Sequence, residues 1–132
     1  MLAALLASAD VPFVTLAQSD MSNVETLREA VADTPAEWEA LWKAHAPSAA
    51  RPELDLSSRT VVAVFLGTRP SSGYKVEITS VASDQDGVVV RYVERKPGPD
   101  AMTAAVITAP CHIVSFRKQP GRIRFERVPD AA

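Results

Sequence analysis

Cysteine occurs once and histidine twice in these 132 residues, and both scarcities remove whole classes of chemistry. A lone Cys111 cannot close a disulfide within the chain, so cysteine usage favours neither an oxidising nor a reducing compartment. Two histidines and one cysteine are too few for a closed zinc site without carboxylates, and no C-x-x-C or H-x-x-x-H spacing occurs. No metal and no cofactor is therefore expected. Glycine is sparse as well, with five residues. Gly67 and Gly73 stand six apart with neither a Lys-Ser/Thr ending nor a following helix, so a phosphate cradle has no support. Ser71-Ser72-Gly73 does not match a G-x-S-x-G elbow. The net charge of -2 makes no case for a polyanionic partner. No run is long and apolar enough to span a bilayer.

The charge is uneven. Residues 1–60 hold nine acids and four bases, and residues 90–132 hold eight bases and four acids. The late arginines alternate with apolar residues, the pattern of a solvated strand surface rather than a nucleic-acid face. Catalysis fares no better. Cys111 and His112 invite a nucleophile–base reading, but adjacent strand residues point to opposite faces and cannot form a dyad. His45 ends a helix on an otherwise apolar face, where a packed or capping role suits it. No catalytic residue is assigned, and the chain is expected not to be an enzyme.

What is present is an ordinary globular composition, 47% hydrophobic and 23% charged, at a length that suits one domain. The first residues, Met1-Leu-Ala-Ala-Leu-Leu-Ala-Ser-Ala9, form a short apolar stretch ending A-x-A. They are taken as a signal-peptide remnant over 1–9, with a single domain over 10–132 and export as the expected fate.

Residues 11–17 can form a first strand, with Pro12 at an edge or at its start. Residues 18–24 read as loop and Leu27 to Ala32 as a short strand. Thr34 is a helix N-cap, with Pro35 at the first helical position and Glu37 three residues on, as in a capping box. Trp38, Leu41, Trp42 and His45 then recur on one face, and Glu39 and Lys43 form an i,i+4 pair. Thr60 to Leu66 is a continuous β-branched run. Tyr74, Val76 and Ile78 alternate with polar residues, and residues 74–94 read as a hairpin turning at 84–87. Thr103 to Thr108 is a further β run, and 112–117 with 122–126 flank Lys118-Gln119-Pro120-Gly121 as a last hairpin. The expected fold is α+β, mostly antiparallel β, a sandwich or partly open barrel of about six to eight strands with one helix in the N-terminal half.

The densest signal lies between two strand-like segments: Gly67-Thr68-Arg69-Pro70-Ser71-Ser72-Gly73-Tyr74. Pro70 fixes one φ, Gly73 permits a positive φ, and the serines offer hydroxyls to the turn. On the residues alone this is either a hairpin connector with Tyr74 in the core or a stiff recognition loop presenting Arg69 and Ser71.

Phe65-Leu66-Gly67-Thr68-Arg69-Pro70-Ser71-Ser72-Gly73-Tyr74-Lys75-Val76 resembles the F-x-G-x-R-P-(T/S)-G-G-Y-x-(V/I) signature of the PrcB C-terminal domain family. Trp38-Glu39-Ala40-Leu41-Trp42, Leu54-Asp55-Leu56, Pro97-Gly98-Pro99 and Thr108-Ala109-Pro110-Cys111-His112-Ile113-Val114 resemble other segments of that family, so the likeness runs over roughly 35–125. Ser72 stands where the family often has glycine, and Cys111 where it has tyrosine.

The resemblance implies a non-catalytic, exported accessory subunit of a bacterial protease complex, in the periplasm or at the cell surface. Its expected partner is a protein, an extracellular or periplasmic protease among the candidates, with no nucleic acid and no membrane span. Arg69, Pro70, Ser71, Ser72, Gly73, Tyr74, Pro110 and His112 are the expected partner-binding residues. Among them, Gly73 and Tyr74 secure turn and core while Arg69 and Ser71 face outward. The same loop also resembles one loop of chagasin-type cysteine-protease inhibitors, which have an Ig-like β-sandwich. Inhibition of such a protease is the alternative function.

Overall fold

The computed structural model describes residues 9–130, which form eight strands and one helix. In chain order these are β1 (Ala9–Asp10), β2 (Phe13–Ser19), β3 (Leu27–Ala32), α1 (Pro35–His45), β4 (Arg59–Leu66), β5 (Lys75–Asp84), β6 (Gly87–Arg95), β7 (Cys111–Arg117) and β8 (Arg122–Arg127). Two four-stranded sheets result, ordered β1-β5-β6-β8 and β2-β7-β4-β3. All pairings are antiparallel except β6–β8. The α+β sandwich expected from the sequence is the observed fold, without barrel closure. The expected signal remnant falls mostly on residues 1–8, outside the described residues; Ala9 belongs to β1.

The continuous apolar run in β4 has a direct cause: both of its faces are covered. Val62, Val64 and Leu66 join Val76, Ile78, Val88, Val90, Val114 and Phe116 between the sheets. Val61, Ala63 and Phe65 face α1, against Trp38, Leu41, Trp42 and Ile113. The molecule therefore has three layers and two apolar interfaces, with the β4–β7 pair central to both. At roughly 25 cal/mol per Å² of apolar surface removed from water, these interfaces supply the main folding drive.

The helix forms where its caps place it. Thr34 Oγ1 accepts the Glu37 N–H at 3.2 Å, and Glu37 Oε1 accepts the Asp33 N–H at 2.9 Å. The return bond thus reaches one residue before the cap rather than the cap itself. Trp38, Leu41, Trp42 and His45 are all buried. The two indoles also hold the connector that follows, because Trp38 Nε1–H donates to the Pro52 carbonyl and Trp42 Nε1–H to the Ala49 carbonyl.

Four local expectations are corrected. The first strand splits at Pro12 into β1 and β2, so β2 begins at Phe13 and continues to Ser19. Glu39 pairs with Arg51 of the connector at 3.4 Å rather than with Lys43. Residues 103–108 form no strand; their backbone pairs at an isolated bridge between Thr108 and Arg69. Finally, β7 and β8 are not a hairpin. Residues 118–121 carry the chain from one sheet to the other, where β8 lies parallel to β6. Gly87 permits that approach: it has φ +127°, and a Cβ there would stand 2.2 Å from the Arg122 carbonyl oxygen.

The two sheets are also stitched by polar side chains. Among the described residues, β5 pairs with β1 at Ala82 and Ser83, and the first half of β5 has no strand neighbour on that side. His112 Nδ1 accepts the Ile78 N–H at 2.8 Å, and Gln18 Nε2 donates to the Val76 carbonyl at 3.0 Å. Side chains of one sheet thus satisfy backbone groups of the other, as buried polar groups require.

The end of the sandwich around residues 67 to 74

Three segments converge at one end of the sandwich: 20–26, the loop 67–74, and 101–110. The loop is held by its neighbours at Arg69, Ser71 and Ser72. Arg69 and Thr108 exchange two backbone hydrogen bonds, Arg69 N–H to the Thr108 carbonyl at 2.8 Å and Thr108 N–H to the Arg69 carbonyl at 2.9 Å. Ser72 N–H donates to the Ala104 carbonyl at 3.0 Å, and Ser72 Oγ accepts the Ala104 N–H at 2.7 Å. Thr108 Oγ1–H donates to the Ser71 carbonyl at 2.9 Å. Gly73 is required by space as well as by its φ of +96°, since a Cβ there would stand 2.9 Å from Pro97 Cβ.

Arg69 points inward. Its Nε and Nη2 donate to the two oxygens of Glu94 at 2.7 and 3.1 Å, and Nη1 donates to the Thr68 carbonyl at 2.9 Å. Arg127 binds the same carboxylate from β8. The Glu94 side chain is 4% exposed, so a nearly buried carboxylate is neutralised by two guanidinium groups. The Arg69 hydrogen bonds pull the Glu94 carboxyl below its ordinary range. Three other late arginines are paired as well, Arg91 with Glu126, Arg95 with Glu77 and Asp130, and Arg124 with Asp84.

The expected binding residues therefore separate. Pro70 and Gly73 are exposed; Arg69, Ser71, Ser72 and Tyr74 are half-buried; Pro110 and His112 are buried. Tyr74 lies at the margin, outside both apolar clusters, beside a surface depression shared with Gln18, Ser19 and Lys75. His112 is committed to holding the sheets together. Because Nδ1 accepts from Ile78, the neutral ring carries its proton on Nε2 and donates it to Thr15 Oγ1 at 2.9 Å. Burial lowers its pKa.

The exposed large apolar side chains at this end belong to residues outside the signature loop. Met21 is 64% exposed, Met102 fully exposed and Ile107 68% exposed, with Val106 beside them. Met21 and Ile107 border a cleft of about 420 Å³ that also touches Ser22, Glu25 and Thr68. The signal was available, since Val106-Ile107 carries apolar side chains with no alternating polar partner, but the run reads equally well as a strand.

At the wall of this cleft, sequence-distant groups meet. Ser22 Oγ accepts the Val24 N–H at 3.1 Å and shares a hydrogen bond with His45 Nδ1 at 2.8 Å. Cys111 Sγ lies 3.7 Å from the same nitrogen. Cys111 and His112 do point to opposite faces, as strand geometry requires, and it is His45 that meets the thiol. Burial pushes the Cys111 thiol up to about 11, and burial also lowers the His45 pKa. A thiol held protonated and fully buried is a packing group. Among the described residues no cluster of three or more His, Cys, Asp or Glu is placed to hold a metal, and no helix is long and apolar enough to cross a membrane.

A family model described as PrcB C-terminal matches residues 60–117, from β4 to the end of β7. The resemblance seen in the signature loop is borne out over that span, whereas the helix bearing Trp38 and Trp42 lies before it. No curated protein and no solved structure matches the chain.

Proposed function

We propose, for a chain whose residues 60–117 match the PrcB C-terminal family, an accessory role in a protease complex: a non-catalytic, exported domain that binds a protein partner. The observation that carries the binding role is the exposed apolar group at the loop end, Met21, Met102, Val106 and Ile107. Exposed apolar side chains mark interaction surfaces; here Met21 and Ile107 border one cleft, and Met102, Val106 and Ile107 belong to a segment bonded to the signature loop through Ala104 and Thr108. The partner contact is thus assigned to 101–107 and Met21, with Pro70 as the exposed tip of the signature loop. Arg69 and Glu94 hold the platform.

The test is affinity capture from the native cell envelope with the folded domain. A protease should be retained by the unmodified domain and lost with Met102→Asp plus Ile107→Asp at unchanged Tm. Retention by that variant overturns the assignment. Loss with Arg69→Ala must be read beside its stability, because that residue supports the loop.

Inhibition of a papain-type protease is the second reading. It is favoured by the convergence of three segments at one end of a β-sandwich, the arrangement needed to wedge into an active-site cleft. Titration of papain with the purified domain decides it, and full activity at excess domain removes it.

A further inference from the structure

Each sheet of a sandwich ends in edge strands whose outer backbone groups lack a strand partner, and natural proteins usually protect them. Three of the four edges here are protected. β1, with Ala9 and Asp10 among the described residues, ends just before Pro12. β2 begins after Pro12 and carries a register shift between Thr15 and Ala17. β8 displays Arg122, Arg124, Glu126 and Arg127. The fourth, β3, is different. It pairs with β4 over six residues without a shift, contains no proline, and exposes Leu27 (63%) and Val31 (37%).

The ladder shows which of its backbone groups face out. Leu66 N–H donates to the Pro110 carbonyl and Lys118 N–H to the Ser58 carbonyl, so even-numbered residues of β4 bond toward β7. The odd ones bond toward β3, at Arg28, Ala30 and Ala32. The N–H and C=O groups of Leu27, Glu29 and Val31 therefore point to the open edge. Their side chains also share one face, as apolar, acidic, apolar. Tyr92 Oη–H donates to Glu29 Oε2 at 2.6 Å and fixes the carboxylate at the centre of that row.

We propose that β3 is a docking edge for an extended segment of a partner protein with an apolar–x–Lys/Arg–x–apolar pattern, added antiparallel as a fifth strand. Backbone bonds to Leu27, Glu29 and Val31 supply the pairing, and the cation opposite Glu29 supplies the register. The charge selects against a second copy of this chain. Antiparallel self-pairing that sets Leu27 against Val31 places Glu29 opposite Glu29 of the other copy, and like charges directly opposite are destabilising. The proposal goes beyond the loop-end reading and does not depend on it.

The test is an amide-resolved NMR titration of the domain with the capped peptide Thr-Ile-Thr-Lys-Thr-Val-Thr. Two controls accompany it, one with Glu in place of Lys and one N-methylated at Ile and Val, which removes donors and keeps side chains. The expected result is saturable shifts centred on Leu27, Glu29 and Val31, about five-fold weaker binding of the Glu peptide, and none of the N-methylated one. The Leu27→Lys plus Val31→Lys variant should fold with unchanged Tm and lose the response. Absence of saturable shifts in β3, or equal binding of the controls, overturns the proposal. So does a dependence of β3 shifts on protein concentration without peptide, because that makes a second copy the occupant.

Discussion

The loop over 67–74 and the segment over 101–107 lie against each other, yet they are built on opposite terms. In the loop, backbone groups of Arg69, Ser71 and Ser72 are bonded to Ala104 or Thr108, and the Arg69 guanidinium is closed on Glu94. The segment beside it leaves Met102, Val106 and Ile107 in water. One has a dense motif and little free chemistry; the other has no motif and most of the free apolar surface. A recurring motif of Gly, Pro and Arg records the demands of a backbone shape, whereas a contact surface needs only side chains that nothing else covers.

That contrast can be broken most directly at Arg69. Arg69→Met leaves the buried Glu94 carboxylate with Arg127 as its remaining cation and should cost about 2–3 kcal/mol in urea unfolding. The loss should shrink with acid. Glu94 has a depressed pKa in the folded state, so its stabilisation is present above its unfolded value near 4.5 and disappears as pH falls through the folded one. An Arg69→Met cost that is the same at pH 3 and pH 7 would contradict the ion-pair account.

Gly73→Ala comes next, at about 1–2 kcal/mol, from the positive φ and the close approach of Pro97. The histidines add a separate pH window. Both have folded pKa values lowered by burial, so the unfolded chain binds more protons and stability should fall as pH drops below 6.5. A His112→Gln variant should flatten part of that slope in thermal melts between pH 7 and 5. The smallest expected change in stability is at the segment: Met102→Ser or Ile107→Ser should stay within about 0.5 kcal/mol of the unmodified domain. If either unfolds the protein appreciably, the segment is part of the core and the contrast fails.

Much of this was legible beforehand where the local signal and the final packing agree. Thr34, Pro35 and Glu37 mark the helix start, and Trp38, Leu41, Trp42 and His45 mark its buried face, because capping and 3.6-residue periodicity are properties of neighbouring residues. The hairpin of β5 and β6 and the opposed faces of Cys111 and His112 follow from strand alternation. The β7–β8 connection was misread because Pro120-Gly121 suits any sharp change of direction. Whether the next strand pairs back or crosses over depends on which edge is open, and β6 offers one beside Gly87. Arg69 was read outward because its partner Glu94 lies 25 positions away on another strand.

The signature loop, the capped helix and the doubly apolar β4 are determined by the residues alone, since each rests on the conformational or hydrophobic preference of a short stretch. Tertiary structure decides what those stretches are for. It turns Arg69 inward to Glu94, spends His112 on joining two sheets, sets Ser22 and Cys111 against His45, and leaves β3 with an open edge. Each of these depends on distances between residues far apart in the chain, and such distances exist only once two sheets and a helix have packed around β4.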